Sequence, residues 1–190
     1  EPVNRLLRSA LRLPGPFGGD VTLRHLLTHR SGLPHMAVNL VDRDGDGRRD
    51  PGIDPMNPSQ GYSRSDFSRG LRAQPLQSSP GARYLYSNVG AGLLALALQD
   101  RLRFRSFDSL LYSRVAAPLG LRSTRAASAL SPRTVPAQGY APTPSGLSPA
   151  PLPSQGSLAG AGEVVTTGRD MLTLLRCLTG QRQGPLSRAA

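Results

Sequence analysis

One helix is directly visible in the sequence, and its composition requires burial. Residues 88–102 combine an almost uninterrupted apolar run, at positions 89–98, with small residues such as Gly90 and Gly92. The run is about half the length that a membrane span requires, so it predicts a buried helix and no membrane span. Because glycines lack a side chain, other segments can approach this helix closely. We therefore predict that the chain folds around it.

Shorter helices and long loops are predicted around this central helix. Apolar residues recur at helical spacing in residues 2–13, 20–29, 63–72, 106–116 and 167–178. Thr22 and Ser106 are predicted N-caps, and Leu23, Leu26 and Leu27 are predicted to form the inner face of the second helix. Residues 31–62 and 131–153 are rich in Pro, Gly, Ser or Asp and are predicted to be loops.

The charge of the chain comes from arginine. The sequence has 23 Lys and Arg against 12 Asp and Glu, for a net charge of +11, and all 23 of these cations are Arg because no Lys occurs. Such a charge is typical of nucleic-acid binding, but the arginines are scattered, and phosphate-binding surfaces normally use Lys as well. We expect no nucleic-acid partner. An Arg-rich nucleic-acid binder is the alternative, which salt-dependent retention on DNA would reveal.

The single cysteine limits the chemistry of the chain. Cys177 excludes a disulfide within the chain and a Cys-rich metal site. It lies in an apolar pattern and is predicted to be buried as a small hydrophobic residue.

Four segments resemble, in order, the motifs of one enzyme family. They are residues 21–34, ending in His-Arg-Ser-Gly-Leu-Pro; residues 80–88, with Pro-Gly and Tyr-Ser-Asn; residues 118–124, with Pro-Leu-Gly and Thr; and residues 160–170, with Gly-Ala-Gly and Thr-Thr-Gly-Arg-Asp. Each motif is weak alone, but four in the right order are specific. The chain resembles the serine β-lactamase-related and penicillin-binding family, which includes class C β-lactamase-like enzymes and DD-peptidases.

The resemblance implies an α+β fold of which this chain holds mainly the helical part, with long loops. The family's nucleophile lies in a Ser-x-x-Lys motif, and a third motif is Lys-Thr-Gly or similar. Since the sequence has no Lys, we expect residues 1–190 to be a partial domain, with these two motifs before Glu1 and after Ala190.

The same resemblance assigns two catalytic residues, Tyr86 and Asn88. Tyr86 would manage the proton of the attacking serine. A phenol alone is a poor base, but a neighbouring cation favours its phenolate form. The amide of Asn88 both donates and accepts hydrogen bonds, so it could hold a substrate amide. His29, Ser31 and Gly32 are predicted to form a structural turn beside the site and no catalytic triad.

The function implied is that of a fragment of a serine hydrolase. It would act by acyl-serine chemistry on a β-lactam, a D-Ala peptide or an ester, without a cofactor for catalysis, and would be inactive as it stands. Its partner would be a small-molecule or peptidoglycan-like substrate, and the oligomeric state stays open. The alternative is a non-catalytic, calcium-stabilised binding module of the same fold.

An acidic stretch within residues 36–62, a predicted insertion loop, suggests a calcium site. Asp42, Asp44, Asp46 and Asp50 occupy positions 1, 3, 5 and 9 of a calcium loop, with a glycine at position 6. The usual glutamate at position 12 is absent, which predicts weak binding, useful only where calcium is millimolar. The stretch therefore favours an exported protein, periplasmic or extracellular. The alternative is a solvated acidic turn paired with nearby arginines.

Overall fold

The computed structural model describes residues 1–8, 11–13, 15 and 20–182, which fold as short helices around one long helix. The α-helices are α1 (Leu23–Leu27), α2 (Arg64–Ala73), α3 (Asn88–Leu102), α4 (Phe107–Leu111), α5 (Ala117–Leu119) and α6 (Gly168–Leu178). A π-helical turn, Tyr112–Ala116, joins α4 to α5, and 3-10 turns cover Val3–Arg5, Ala127–Ala129 and Gly156–Ala161. The arrangement confirms the predicted helical part of an α+β fold.

The strands are few and short. Strand β1 (Arg125–Ala126) pairs antiparallel with β4 (Val164–Val165), and β2 (Gly139–Thr143) pairs antiparallel with β3 (Gly146–Ala150). Each pair is a separate two-stranded sheet. Within the described ranges, no helix combines the length and apolarity that crossing a membrane requires.

Helix α3 has the predicted bounds and lies in the core. Ser87 is its N-cap, and the Ser87 hydroxyl accepts the Gly90 N–H over 2.8 Å. The 3-10 turn Gly156–Ala161 packs directly on α3: a Cβ at Gly160 would lie 2.5 Å from the Ala91 carbonyl oxygen, and one at Gly92 would lie 3.0 Å from a Leu158 methyl. The small residues are therefore necessary for this close contact.

In the part of the chain that the structure describes, two hydrophobic clusters form the interior. The larger one surrounds α3 and includes Val3, Val21, Leu26, Leu33, Tyr62, Phe67, Leu93 and Leu158. The smaller one consists of Ala116, Leu119, Leu121 and Cys177, with Val115 and Leu174 against it. Cys177 is buried, as predicted.

The predicted helix over residues 2–13 is wrong in most of its length. Among the described residues of this segment, Val3–Arg5 forms a 3-10 turn and Leu11 has 3-10 geometry, with its N–H on the Arg8 carbonyl at 2.9 Å, while positions 9 and 10 lie outside the described residues. Hydrogen bonds to more distant residues hold the rest of the segment: the Val3 N–H donates to the Val21 carbonyl over 2.7 Å, and the Leu13 N–H donates to the Asn4 side chain over 2.8 Å. The apolar residues Val3, Leu6, Leu7 and Leu11 are nevertheless buried as predicted.

Two further sequence predictions need correction. Residues 131–153 are not entirely loop, since they contain the β2–β3 hairpin, in which Pro142 faces Leu147 and Tyr140 faces Pro149. A two-stranded ribbon has two free edges, so prolines are tolerated there. Leu27 was expected in the interior but is 70% exposed, because α1 is only five residues long and presents one buried leucine, Leu26.

Candidate functional site

Two of the motif segments lie side by side in front of α3. The Leu85 N–H donates to the His29 carbonyl over 2.7 Å, and the Asn88 N–H donates to the His35 carbonyl over 2.9 Å. The Ser87 hydroxyl, which caps α3, also donates to the Pro34 carbonyl over 2.6 Å. These bonds fix the Tyr-Ser-Asn segment against the segment that follows α1.

Tyr86 lies at the surface between two imidazoles. Its ring centroid is 4.6 Å from that of His29, with the ring planes tilted by 34°, and 5.5 Å from that of His35. The Tyr86 side chain is 50% exposed. Its phenol is thus accessible from outside while its ring has defined neighbours.

Asn88 has the same histidine as a neighbour. Its side-chain nitrogen is 3.4 Å from the His35 Nε2 and 3.0 Å from the Met36 sulfur. Since Tyr86 and Asn88 both border His35, their side chains belong to one surface. His35 and Met36 were not singled out from the sequence. The sequence signal that could have identified His35 is its place directly after the Ser-Gly-Leu-Pro turn, where a polar side chain follows a family motif.

His29 ends α1 in an unusual conformation. Its N–H donates to the Leu26 carbonyl, and the Arg30 N–H donates to the His25 carbonyl, which is the Schellman pattern of helix ends. In that pattern the left-handed residue is usually Gly, but here it is His29, with φ of 54°. The His29 Nδ1 accepts the Ser87 N–H over 3.2 Å. His29 therefore connects the end of α1 to the start of α3.

Ser31 and Gly32 form a tight turn next to these residues. Ser31 is buried, and its hydroxyl accepts the Leu33 N–H over 3.3 Å. Gly32 has φ of +79°, and a Cβ there would lie 2.1 Å from the Ser78 carbonyl oxygen. Only glycine satisfies both conditions.

The acidic stretch brings three of its four predicted ligands together. Among the described residues, the carboxylates of Asp42, Asp44 and Asp50 have oxygens that all lie within 4.8 Å of one another. Asp46 is outside this group, and its carboxylate accepts the Arg48 N–H over 2.8 Å. The Asp42 carboxylate accepts the N–H groups of Gly45 and Gly47.

Arg43 anchors this acidic stretch to the body of the protein. Its guanidinium donates to the carbonyls of Pro58 and Gln60 over 2.9 and 2.8 Å and lies over the Tyr62 ring, 5.6 Å from its centroid. The Tyr62 hydroxyl donates to Asn39 over 2.6 Å, and burial raises the pKa of this phenol above its ordinary value. Residues 36–62 contain no helix or strand but are held by these side chains.

Comparison with known proteins gives consistent results. A family model named Beta-lactamase matches residues 1–190. A curated relative, monacolin J acid methylbutanoyltransferase of Aspergillus terreus, is 32% identical over 107 residues, which are 54% of this chain and 22% of the relative.

Solved structures are also similar. The octameric penicillin-binding protein homologue from Pyrococcus abyssi superimposes with a TM-score of 0.68 at 23% identity, over 96% of this chain and 39% of that one. The D-amino acid amidase from Ochrobactrum anthropi SV3 superimposes with a TM-score of 0.63 at 24% identity, over 88% and 47%. The β-lactamase/D-alanine carboxypeptidase from Yersinia pestis gives 0.59 at 20% identity, over 93% and 45%. The chain thus spans about a fifth of the curated relative and less than half of each of these structures.

Proposed function

Since this chain belongs to the Beta-lactamase family of serine hydrolases, we propose that it supplies the Tyr-Ser-Asn part of an active site that works through an acyl-serine. The observation that carries the proposal is the shared surface of Tyr86 and Asn88 around His35. A phenol and an amide at one exposed surface, on either side of the residue that caps α3, form the type of arrangement that acyl transfer needs.

Each of the two side chains has a defined task in this proposal. The Tyr86 oxygen takes the proton of the attacking serine and then donates it to the leaving group as the scissile bond breaks. A lysine ammonium from a Ser-x-x-Lys segment, close to the phenol, favours the phenolate form that this task requires. The NH₂ group of Asn88 donates a hydrogen bond to a carbonyl oxygen of the substrate, or the amide oxygen of Asn88 accepts one from that lysine and so orients it.

The proposed substrate class is an activated or D-configured acyl compound: a β-lactam, a D-Ala peptide or a small ester. Support comes from the kinds of protein to which the chain is similar, namely an amidase, a β-lactamase/carboxypeptidase and an acyltransferase. Their common step is transfer of an acyl group, with water, an amine or an alcohol as acceptor. No metal or organic cofactor takes part in this chemistry.

The 190-residue chain by itself is expected to show no turnover. Its sequence has no lysine, so none of its serines belongs to a Ser-x-x-Lys motif, and a serine without an adjacent base is a weak nucleophile. The measurement is hydrolysis of nitrocefin and of p-nitrophenyl esters, with mass spectrometry after incubation with fluorescent penicillin. Stoichiometric labelling of any serine in this chain would contradict the assignment of the nucleophile to another segment.

A test of the function itself uses the complete product of the reading frame that contains this chain. We expect acylation of a serine in a Ser-x-x-Lys segment and turnover of at least one of the three substrate types. A complete product that has this segment but forms no acyl-enzyme with any of them would refute the proposed function.

A second proposal concerns calcium at the acidic stretch, and the converging carboxylates of Asp42, Asp44 and Asp50 support it. Three like charges at this distance repel one another, and a bound cation would convert repulsion into ligation. With a Kd of ~10⁻⁴–10⁻³ M, 10 mM CaCl₂ would raise the melting temperature by roughly 3–10 °C over EDTA. Such an affinity would suit a periplasmic or extracellular location.

Matched variants make the calcium prediction specific. Asp44 and Asp54 each accept the N–H of the residue two positions later, over 3.1 and 2.8 Å, but only Asp44 belongs to the converging group. Asp44→Asn should abolish the calcium-dependent rise in melting temperature, and Asp54→Asn should retain it. Equal melting temperatures with calcium and with EDTA in the unmodified chain would leave the stretch as a solvated acidic turn.

If the complete product is stabilised by calcium but forms no acyl-enzyme, the non-catalytic binding module becomes the better description of this protein. If the complete product is acylated equally well in calcium and in EDTA, the ion has a structural role only. The two measurements therefore separate the two candidate functions.

A further inference from the structure

His29 has a backbone conformation that is uncommon for residues other than glycine. The left-handed backbone at the end of α1, with φ of 54°, is uncommon for any residue but Gly, and Asn, Asp and His are the side chains most often found there. Backbone strain of this kind is typical of positions at which a side chain has a task. The contacts of the imidazole indicate what that task is.

The imidazole of His29 makes two contacts with neighbouring residues of the Tyr-Ser-Asn motif. Its Nδ1 accepts the Ser87 N–H over 3.2 Å, and its ring stacks at a tilt on Tyr86, with 4.6 Å between centroids. An acceptor nitrogen has no proton, so the neutral ring carries its proton on Nε2. One side chain thus holds the backbone of Ser87 and the ring of Tyr86 together.

We infer that His29 is a positioning residue that aims the Tyr86 phenol, an inference that rests on the proposed function. The bond to Ser87 fixes the direction of the backbone just after Tyr86, and the stacked ring limits rotation of the half-exposed side chain. Without the ring, the phenol populates other rotamers, and fewer molecules have the oxygen in the productive place. His29 itself takes no proton from the substrate or the serine in this scheme.

Two substitutions separate the contacts. His29→Asn retains an acceptor near the place of Nδ1 and tolerates the left-handed backbone, but it removes the ring. His29→Phe retains a ring and removes the acceptor. The matched control is His25→Asn, because the His25 Nδ1 also accepts a backbone N–H, that of Thr22, over 3.3 Å, and the aromatic contacts of Tyr86 are with His29 and His35 instead.

The kinetic experiment uses the complete product. We expect His29→Asn to lower kcat about 3- to 10-fold, the scale of one aromatic pair, with KM unchanged and the melting temperature lowered by no more than about 4 °C, because Asn retains the acceptor and tolerates the backbone. His29→Phe should lower kcat and also the melting temperature, because the Ser87 N–H loses its acceptor. His25→Asn should leave kcat unchanged. A merely structural histidine would lose stability in both variants with kcat retained, and an unchanged kcat in His29→Asn overturns the inference.

A spectroscopic experiment keeps the inference separate from the proposed function. In the complete product labelled with ¹³C-tyrosine and ¹⁵N-histidine, His29 should show an unprotonated Nδ1. His29→Asn should lower the side-chain order of Tyr86, measured by ¹³C relaxation and three-bond couplings, and leave that of the buried Tyr62 in place. If the unmodified product has no activity but this loss of order occurs, the proposed function fails and the positioning of Tyr86 by His29 stands. Unchanged side-chain order of Tyr86 in His29→Asn refutes the positioning.

Discussion

Replacing Tyr86 by Phe in the complete product is expected to lower kcat/KM by roughly 10²-fold or more, the scale of a lost general base. The substitution removes only the phenol oxygen. The ring that contacts His29 and His35 is retained, and the side chain is 50% exposed, so no buried polar group loses its partner. The free energy of unfolding should therefore change little.

Tyr84→Phe is the matched control for this experiment. Tyr84 is 59% exposed, and its ring also contacts His29, edge-on at 5.8 Å between centroids. Loss of its hydroxyl should leave kcat/KM within about twofold of the unmodified protein, the range of a surface substitution. Steady-state kinetics and a denaturation curve for each variant suffice. Full activity of Tyr86→Phe would exclude the phenol as the proton carrier.

Gly32→Ala is expected to destabilise the chain by roughly 2–5 kcal/mol, through backbone strain and a steric clash together. Its φ of +79° disfavours any side chain, and the added Cβ would lie 2.1 Å from the Ser78 carbonyl oxygen. Relief requires the backbone near Ser78 to move, which would strain the 2.8 Å hydrogen bond from the Gln77 N–H to the Gly32 carbonyl. The turn beside the Tyr-Ser-Asn segment would then lose its geometry.

Gly52→Ala separates the two causes. Gly52 has nearly the same φ, +82°, but a Cβ there would meet nothing within 4 Å. The free energy of unfolding of Gly52→Ala should therefore fall only by the contribution of backbone strain, about 1–2 kcal/mol. Urea denaturation of both variants in EDTA gives the free energy of unfolding of each, and the difference between their losses is the energy of the steric clash at Gly32. Equal losses of unfolding free energy in the two variants would contradict the clash, because they would show that the backbone near Ser78 moves away from the new Cβ without an energetic penalty.

Local signals explain which elements could be predicted. The bounds of α3, Asn88–Leu102, follow from an apolar run that begins next to a capping Ser87, and both signals act within one helical turn. The N-caps Thr22 and Ser106 were predicted for the same reason. The family motifs are also stretches of neighbouring residues, so the family could be identified without coordinates.

Elements whose hydrogen bonds are tertiary, or whose strands contain proline, were predicted incorrectly. The first segment has a helical apolar period but pairs with Val21 and Thr22, and no local pattern reports such a bond. In the β2–β3 hairpin, Pro142 and Pro149 conceal the alternation that indicates strands. The apolar residues of the first segment are nonetheless buried, because burial depends on residue type more than on the local conformation.

The sequence by itself determined the family, the central helix and the identity of Tyr86 and Asn88 as candidate residues, because each depends on residues adjacent in the chain. The surface on which these side chains meet was decided by the tertiary structure. His29 and Ser87 are separated by 58 positions, and His35 and Asn88 by 53. Their contacts arise only when the close packing of α3 draws the end of α1 against the Tyr-Ser-Asn segment, and packing of this kind depends on three-dimensional shape, which no local pattern encodes.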